Sequence, residues 1–321
     1  MAAPISMPSP DVWPQARRVE YFWMVLGRCN YRCPYCVYGL VASDRRRDAQ
    51  HYAAEQWLAG WERMHRRQGE GNIILTGGEP TIYPGFDELV LKLTDWFRVA
   101  FDTNLSWPKD RLARFLARAP RQRVRFEISF HPHSADTDAF LERARLVRDA
   151  GVGYINRLVA YPDLLGKLSH FRELFAQEGL TFVVNPFQGE YRGRRYPESY
   201  TAEERALISG ASVNVEHDAA NAPHKEFVQQ ILARESPKGR LCRAGYQHVR
   251  VEDDGTVFRC GEYATQKWEP LGHFFDESLT LWDGPRPCRC DRCEWEYRWL
   301  VDQAERFQNQ WTTPATEPTA P

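Results

Sequence analysis

Apolar and polar positions alternate along the first two thirds of the chain as short buried runs followed by longer amphipathic stretches. Residues 19–26 (VEYFWMVL) are a continuous apolar, β-rich run of the kind a fully buried strand requires. Helical spacing follows over 53–67, and 72–76 reads as a short buried strand running into Gly-Gly. The same alternation continues with helices expected over 86–97, 109–118, 136–150 and 164–178, and strands over 99–103, 124–130, 154–160 and 181–185. Strands that alternate with helices imply an α/β fold whose parallel sheet is joined by right-handed crossovers. Chemistry in such folds sits at the carboxyl ends of the strands. Cys29, Gly77, Asn104, Ser129 and Asn185 all fall at or just past an expected strand end.

After Pro186 the pattern changes. Residues 187–200 mix Gly, Arg and Tyr and are expected as a long loop, and 202–235 carry helical segments with a polar break near 215–224. Strands near 247–252 and 256–260 flank Asp253-Asp254-Gly255, a hairpin turn signal. A loop rich in Pro and Cys precedes a helix expected over 293–309, and the tail reads as disordered. The expected organisation is an extension over 1–18, a core domain over 19–195, a small cysteine-rich hairpin and helix domain over 196–310, and a tail over 311–321.

Composition narrows the function. With 42 basic and 43 acidic residues the net charge is -1, which supplies no long-range pull toward nucleic acid or an anionic membrane. No apolar run approaches the roughly 20 residues of a membrane span, and Met1 to Pro14 show no secretory pattern, so a cytoplasmic location is expected. Eight cysteines in a reducing compartment point to metal or redox chemistry rather than disulfides. Three lie at 29, 33 and 36, five lie between 242 and 293, and residues 37–241 contain none.

Cys29, Cys33 and Cys36 have the spacing CxxxCxxC. Three thiolates leave one iron of a [4Fe–4S] cubane open to a small molecule; a partial zinc site with a distant fourth ligand is the other reading. The loop follows a buried first strand, and Gly77-Gly78-Glu79-Pro80 follows the second. With these two motifs, and Tyr35 before the last cysteine, residues 19–190 resemble the radical SAM superfamily. That resemblance implies a cluster on Cys29, Cys33 and Cys36 whose open iron chelates S-adenosylmethionine (SAM). One electron then breaks the sulfonium C–S bond, and the 5′-deoxyadenosyl radical takes a hydrogen atom from substrate. It further implies that Gly77 and Gly78 admit close backbone approach, that Glu79 accepts from the SAM ammonium group, that Ser129 contacts ribose and Arg157 the carboxylate, and that Asn104 of a Thr-Asn pair lies near the cofactor. For Ser129, Arg157 and Asn104 an ordinary role within the sheet is the alternative.

Cys242 and Cys260 bracket the expected hairpin, with Cys288, Cys290 and Cys293 after it. Five thiols are one more than a single cubane needs; a zinc ribbon is the plain alternative. With the upstream motifs, the group resembles the single-cluster Twitch relative of the SPASM domain, and Cys242 to Gly245 (CxxG) and Gly255 fit that pattern. The implied second [4Fe–4S] cluster takes Cys242, Cys260, Cys290 and Cys293, with Cys288 and Cys290 competing for one position and Cys288 a candidate hydrogen-atom donor.

Alternation places Glu127, Ser129 and His131 on one face of the fourth strand, with His133 beyond it, and these are the expected catalytic and substrate side chains. Tyr191, Arg192 and Arg194 form a basic, aromatic stretch suited to an anionic or polyhydroxy substrate, or else a solvated linker. Trp57, Trp61 and Trp96 are expected in the core, and Arg45 to Asp48 in solvent. The expected whole is a partial (β/α)6 TIM-like barrel that performs radical C–H chemistry on a polar small molecule, a sugar or aminocyclitol by analogy, ending in epimerisation or dehydrogenation. An external donor such as flavodoxin or ferredoxin would supply the electron. Modification of a ribosomal peptide is the second expectation, although residues 1–18 are too short for a leader-binding domain. A non-catalytic electron carrier or zinc-stabilised binding protein is the third. The oligomeric state is not legible.

Overall fold

A computed structural model of the chain describes residues 18–36, 52–214, 224–233, 236–293 and 300–301. The extension, the Arg45 to Asp48 run, the tail and most of the helix expected over 293–309 lie outside the described residues.

The parallel sheet is present with each strand beside its sequence neighbour: β1 Glu20–Leu26, β2 Asn72–Gly77, β3 Arg98–Thr103, β4 Val124–Ser129, β5 Gly153–Ala160 and β6 Val183–Pro186. Five helices connect them: α1 Ala54–Gln68, α2 Phe86–Leu93, α3 Lys109–Arg118, α4 Thr137–Asp149 and α5 Leu168–Gln177. This is the expected (β/α)6 core. Boundaries shift where local chemistry intervenes: α2 stops at Leu93 because the Thr94 hydroxyl donates to the Leu91 carbonyl at 2.6 Å. The stretch expected to open α5 is a 3₁₀ turn, Pro162–Lys167, started by its proline.

Two features differ from expectation. The stretch 187–200 is not all loop. Gly189–Tyr191 (β7) and Arg194–Tyr196 (β8) pair antiparallel about Arg192 and Gly193, whose φ values of 48° and 71° suit a tight hairpin. After α6 Ala202–Gly210, α7 His224–Ala233 and the short β9 Leu241–Cys242, the expected hairpin forms from β10 His248–Val251 and β11 Thr256–Phe258. Yet β10 also lies parallel to β1, in register from Glu20 opposite His248 to Trp23 opposite Val251. One nine-stranded sheet, β12-β11-β10-β1-β2-β3-β4-β5-β6, therefore contains strands from both sides of residues 195–200; β12 is Gly272–His273.

The two sheet faces differ in chemistry. Toward the helices, Tyr21 and Trp23 pack on α1, with ring centroids 5.1 Å from Trp61 and 4.7 Å from Trp57. Phe274, beyond β12, lies 4.5 Å from Trp61, and a Cβ at Gly60 would come within 2.4 Å of its ring. The glycine inside α1 is thus the seat of a ring from the other end of the chain. Trp57 and Trp61 are core, as expected; Trp96 is only half-buried beneath Lys92, 5.4 Å from its ring. On the opposite face stand charges. Arg125 donates to Glu127 at 2.7 Å, Arg250 donates to Glu252 at 2.7 Å and lies 5.0 Å over Phe22, and Arg157 approaches Asp102 at 3.6 Å. Among the described residues no helix is long and apolar enough to cross a membrane.

Because Phe274 fills the recess above Gly60, Phe274→Ala leaves a cavity against α1 and is expected to cost about 3–5 kcal/mol. A urea titration reads this as a lower midpoint with an unchanged slope.

Candidate active site

The loop after β1 and the turn after β2 are locked together through their backbones. Gly78 N–H donates to the Leu26 carbonyl and Glu79 N–H to the Arg28 carbonyl, both at 3.0 Å. A Cβ on Gly77, at φ 138°, would lie 2.1 Å from the Leu26 oxygen. A Cβ on Gly78 would lie 2.0 Å from the Arg28 oxygen and 2.7 Å from the Cys29 nitrogen. The space the two glycines leave empty is occupied by the cysteine loop itself, where the sequence suggested a ligand. Pro80 then starts the 3₁₀ turn Pro80–Ile82, which carries the chain away from the loop.

Glu79 anchors the next strand. Its carboxylate, 1% exposed, accepts from Thr81 Oγ1 at 2.6 Å and N–H at 3.2 Å, from Thr103 Oγ1 at 2.9 Å and from Asn104 N–H at 2.7 Å. Burial raises its pKa while these donors lower it. The carboxylate that the resemblance assigns to an ammonium group thus already holds the β3 terminus. The Thr103 hydroxyl also accepts from Leu105 N–H at 3.0 Å, supporting Leu105 at φ 58°, an uncommon conformation for a branched residue. Asn104 Nδ2 donates to Asn30 Oδ1 at 2.9 Å and lies 4.0 Å from Cys29 Sγ. The Thr-Asn pair therefore braces the cysteine loop from the far side.

Cys29, Cys33 and Cys36 are free, half-buried thiols. Tyr31 N–H donates to Cys29 Sγ at 3.3 Å. Burial raises the Cys29 pKa, and burial with the neighbouring Cys36 and Cys29 pushes Cys33 up to about 11. Buried thiols such as Cys29 and Cys33 resist ionisation until a cation binds them, which suits a metal-cluster loop. Among the described residues no three His, Cys, Asp or Glu side chains converge as ligands of a single ion. The thiolates of a cubane bind different irons, so the loop has no need of such convergence.

Beyond Cys33 the aromatic residues form a continuous wall. Tyr35 stacks on His131 at 5.7 Å, and its hydroxyl meets His131 Nδ1 at 3.1 Å. Burial, aided by His133, pushes His131 down to about 4, so near pH 7 its ring is neutral. His133 lies 5.7 Å from Tyr35. Tyr161 connects the wall onward, 5.2 Å from Tyr35 and 5.0 Å from Tyr191. The Tyr191 hydroxyl donates to Asp163, and Arg192 lies 4.9 Å over the Tyr191 ring. The structure thus joins Tyr35, His131, His133, Tyr191 and Arg192. Arg194 stands opposite Tyr191 in the hairpin register, with its guanidinium donating to the Ser199 carbonyl at 2.7 Å. Tyr161 escaped the sequence reading, although it directly follows β5 and its position past a strand end marks it.

Glu127 is not a free base: Arg125 and Arg157 both bond its carboxylate, on the sheet face opposite the helices. Ser129 is opposite Arg157 in the sheet register. The guanidinium expected at a SAM carboxylate is therefore already turned to Glu127 and Asp102.

The five later cysteines come together. Arg286–Pro287 (β13) pairs with β9 and sets Arg286 opposite Cys242. Cys242, Cys260 and Cys290 are buried with Phe258 and Tyr263, and Cys288 and Cys293 pack against the same group. Cys290 is hydrogen-bonded to Cys260 and Cys288, which raises its pKa, and burial pushes Cys242 up to about 12. Cys288, expected as a hydrogen-atom donor, stands among these thiols.

Gly78→Ala would drive the cysteine loop off its seat while leaving the later cysteines untouched. Anaerobic iron content is expected to fall from about eight to about four per chain, one cubane's worth. Thr103→Val, which strips one donor from Glu79 and the acceptor from Leu105, is expected to cost about 1–3 kcal/mol in a thermal or urea melt.

Residues 23–164 match the family model described as the Radical SAM superfamily. The sporulation killing factor maturation protein SkfB of Bacillus subtilis (strain 168) is 23% identical over 281 residues, which cover 83% of this chain and 65% of that protein. Streptococcus suis SuiB bound to S-adenosylmethionine superposes with a TM-score of 0.57 at 14% identity, over 82% of this chain and 65% of that one. Native anSMEcpe with bound AdoMet superposes at 0.59 and 16% identity, over 92% and 84%. The chain thus spans just under two thirds of the length of SkfB and of SuiB. At these identities the superpositions establish a shared fold. Over residues 23–164 this chain is similar to a radical SAM domain.

Proposed function

We propose that this chain is a radical SAM enzyme that holds a [4Fe–4S] cluster on Cys29, Cys33 and Cys36, cleaves SAM reductively and takes a hydrogen atom from a peptide. The observation that carries the reading is the lock between Gly77-Gly78-Glu79 and residues 26–29, which fixes a three-thiol loop at the strand ends. When bound, the cluster supplies the electron for SAM cleavage, drawn from a donor such as flavodoxin or ferredoxin. The protein's part is positional. Glu79, Thr103 and Asn104 hold the loop; Tyr35 and neutral His131 wall its open side; Tyr161, Tyr191 and Arg192 extend that wall toward the substrate. A second [4Fe–4S] cluster is assigned to four of the five later thiols.

The peptide assignment follows the relatives: SkfB is named as a maturation protein of a killing factor, and SuiB has been solved bound to its precursor peptide SuiA. A second reading, epimerisation or dehydrogenation of a sugar-like molecule, is favoured by the charged interior around Asp102, Glu127 and Arg157. Epimerisation would draw on a donor thiol such as Cys288; dehydrogenation would draw on the second cluster as electron acceptor.

Reconstituted protein given SAM and dithionite is expected to release 5′-deoxyadenosine, and Cys36→Ala to release none. Deuterium carried from a fully deuterated peptide of a neighbouring open reading frame into 5′-deoxyadenosine supports the peptide reading. Deuterium from a sugar or aminocyclitol alone supports the second. No 5′-deoxyadenosine from a chain with full iron content would sink both.

A further inference from the structure

Each cysteine of the second group has an arginine within two residues: Arg240 and Arg243 about Cys242, Arg259 before Cys260, and Arg286, Arg289 and Arg292 about the last three. Arg259 differs from the buried arginines of the barrel. Arg125 and Arg250 each have a glutamate at 2.7 Å. Arg259 is just 3% exposed, and among the described residues no carboxylate pairs with it. Its guanidinium donates to the carbonyls of Pro287 and Arg286, both at 3.3 Å, and bonds the Tyr263 side chain. It lies 4.7 Å from the Trp282 ring centroid and 5.1 Å from that of Tyr263. The groups of opposite potential charge that it faces are Cys242, Cys260 and the weakly acidic Tyr263 phenol, of which the two thiols are ionised once they ligate a metal.

A buried cation without an anion is strongly unfavourable, so its surroundings must supply the negative charge. The support for Arg259 is built with care for position. Trp282 donates its backbone N–H to the Gly245 carbonyl at 2.8 Å, and its ring occupies the space a Cβ at Gly245 would need, 2.6 Å away, where φ is 89°. The glycine of the CxxG segment thus seats the ring that holds the guanidinium beside the thiols.

We propose that Arg259 is the resident counter-ion of the thiolate cluster on the second cysteine group and raises that cluster's reduction potential. This rests on the reading above that these cysteines hold a cluster. Reduction adds one electron and one negative charge, and a fixed buried cation stabilises the more negative state. Arg259 acts through charge and position and does no chemistry itself. A cluster made easier to reduce accepts an electron from a substrate radical, which favours an oxidative outcome over a redox-neutral one.

The test uses the full chain with Cys29, Cys33 and Cys36 all changed to alanine, so that the second cluster alone gives the reduced-state paramagnetic signal. Anaerobic redox titration is compared for Arg259, Arg259→Lys, Arg259→Gln and Arg259→Met. The neutral variants are expected to shift the reduction equilibrium about tenfold toward the oxidised cluster, ~59 mV for one electron, with Lys close to the parent. Loss of the cluster from Gln and Met with retention in Lys also supports the counter-ion role. Equal midpoints in all four proteins, or loss of the cluster from Lys as well, would overturn it. A parent with no iron and sulfide in this background would instead overturn the assignment of a cluster to these cysteines.

Discussion

Two backbone hydrogen bonds, from Gly78 to Leu26 and from Glu79 to Arg28, fix where everything else in the site can stand. A cysteine loop has no hydrophobic core of its own, and three thiols cannot order it before a cation arrives. Its position must come from the sheet. The chain achieves this by bringing two strand ends closer than any side chain would allow, then closing the gap with amide-to-carbonyl bonds. Glu79 extends the hold to the third strand through hydroxyl and amide donors, so that three consecutive strand ends share one bonded frame. The frame depends on a carboxylate buried from water, and four protein donors offset that burial.

The charged barrel interior has a different logic. Arg125, Glu127, Arg157 and Asp102 neutralise one another on the face opposite the helices, where an open sheet would otherwise collapse on apolar side chains. Paired charges hold this face polar. They also mean that an incoming anion or cation competes with an existing partner, which makes entry selective by charge. The aromatic wall from Tyr35 to Tyr191 meets this space at the strand ends and supplies ring faces rather than charge.

Much of this was legible from the pattern of residues. Six buried runs alternating with amphipathic stretches fix the layer architecture, because burial on both faces and helical period leave few other arrangements. The two cysteine groups and Gly77 to Pro80 are visible because their chemistry is position-specific. What was hidden follows from contacts distant in sequence. Nothing in the spelling of 248–251 says that it pairs with residues 20–23 as well as with its own hairpin. Glu79 reads as an acceptor for the SAM ammonium group because the donors its carboxylate meets come from residues 24 and 25 positions onward. Tyr161 went unnoticed because only packing connects Tyr35 to Tyr191 through it.

The parallel pairing of residues 248–251 with residues 20–23 has a consequence for biogenesis. The strand β1 lies inside the finished sheet, yet its neighbour β10 is synthesised long after it. Until residue 251 has left the ribosome, one edge of the strand that leads into Cys29 remains an open template for pairing with other chains. Closing such a long-range contact is intrinsically slow. Residues 20–26 are also the most continuous apolar run near the start of the chain, so the nascent protein is most vulnerable to aggregation beside the loop on which its chemistry depends. Expression yield and cluster loading should therefore be governed by the same late event, the arrival of a strand from the far end.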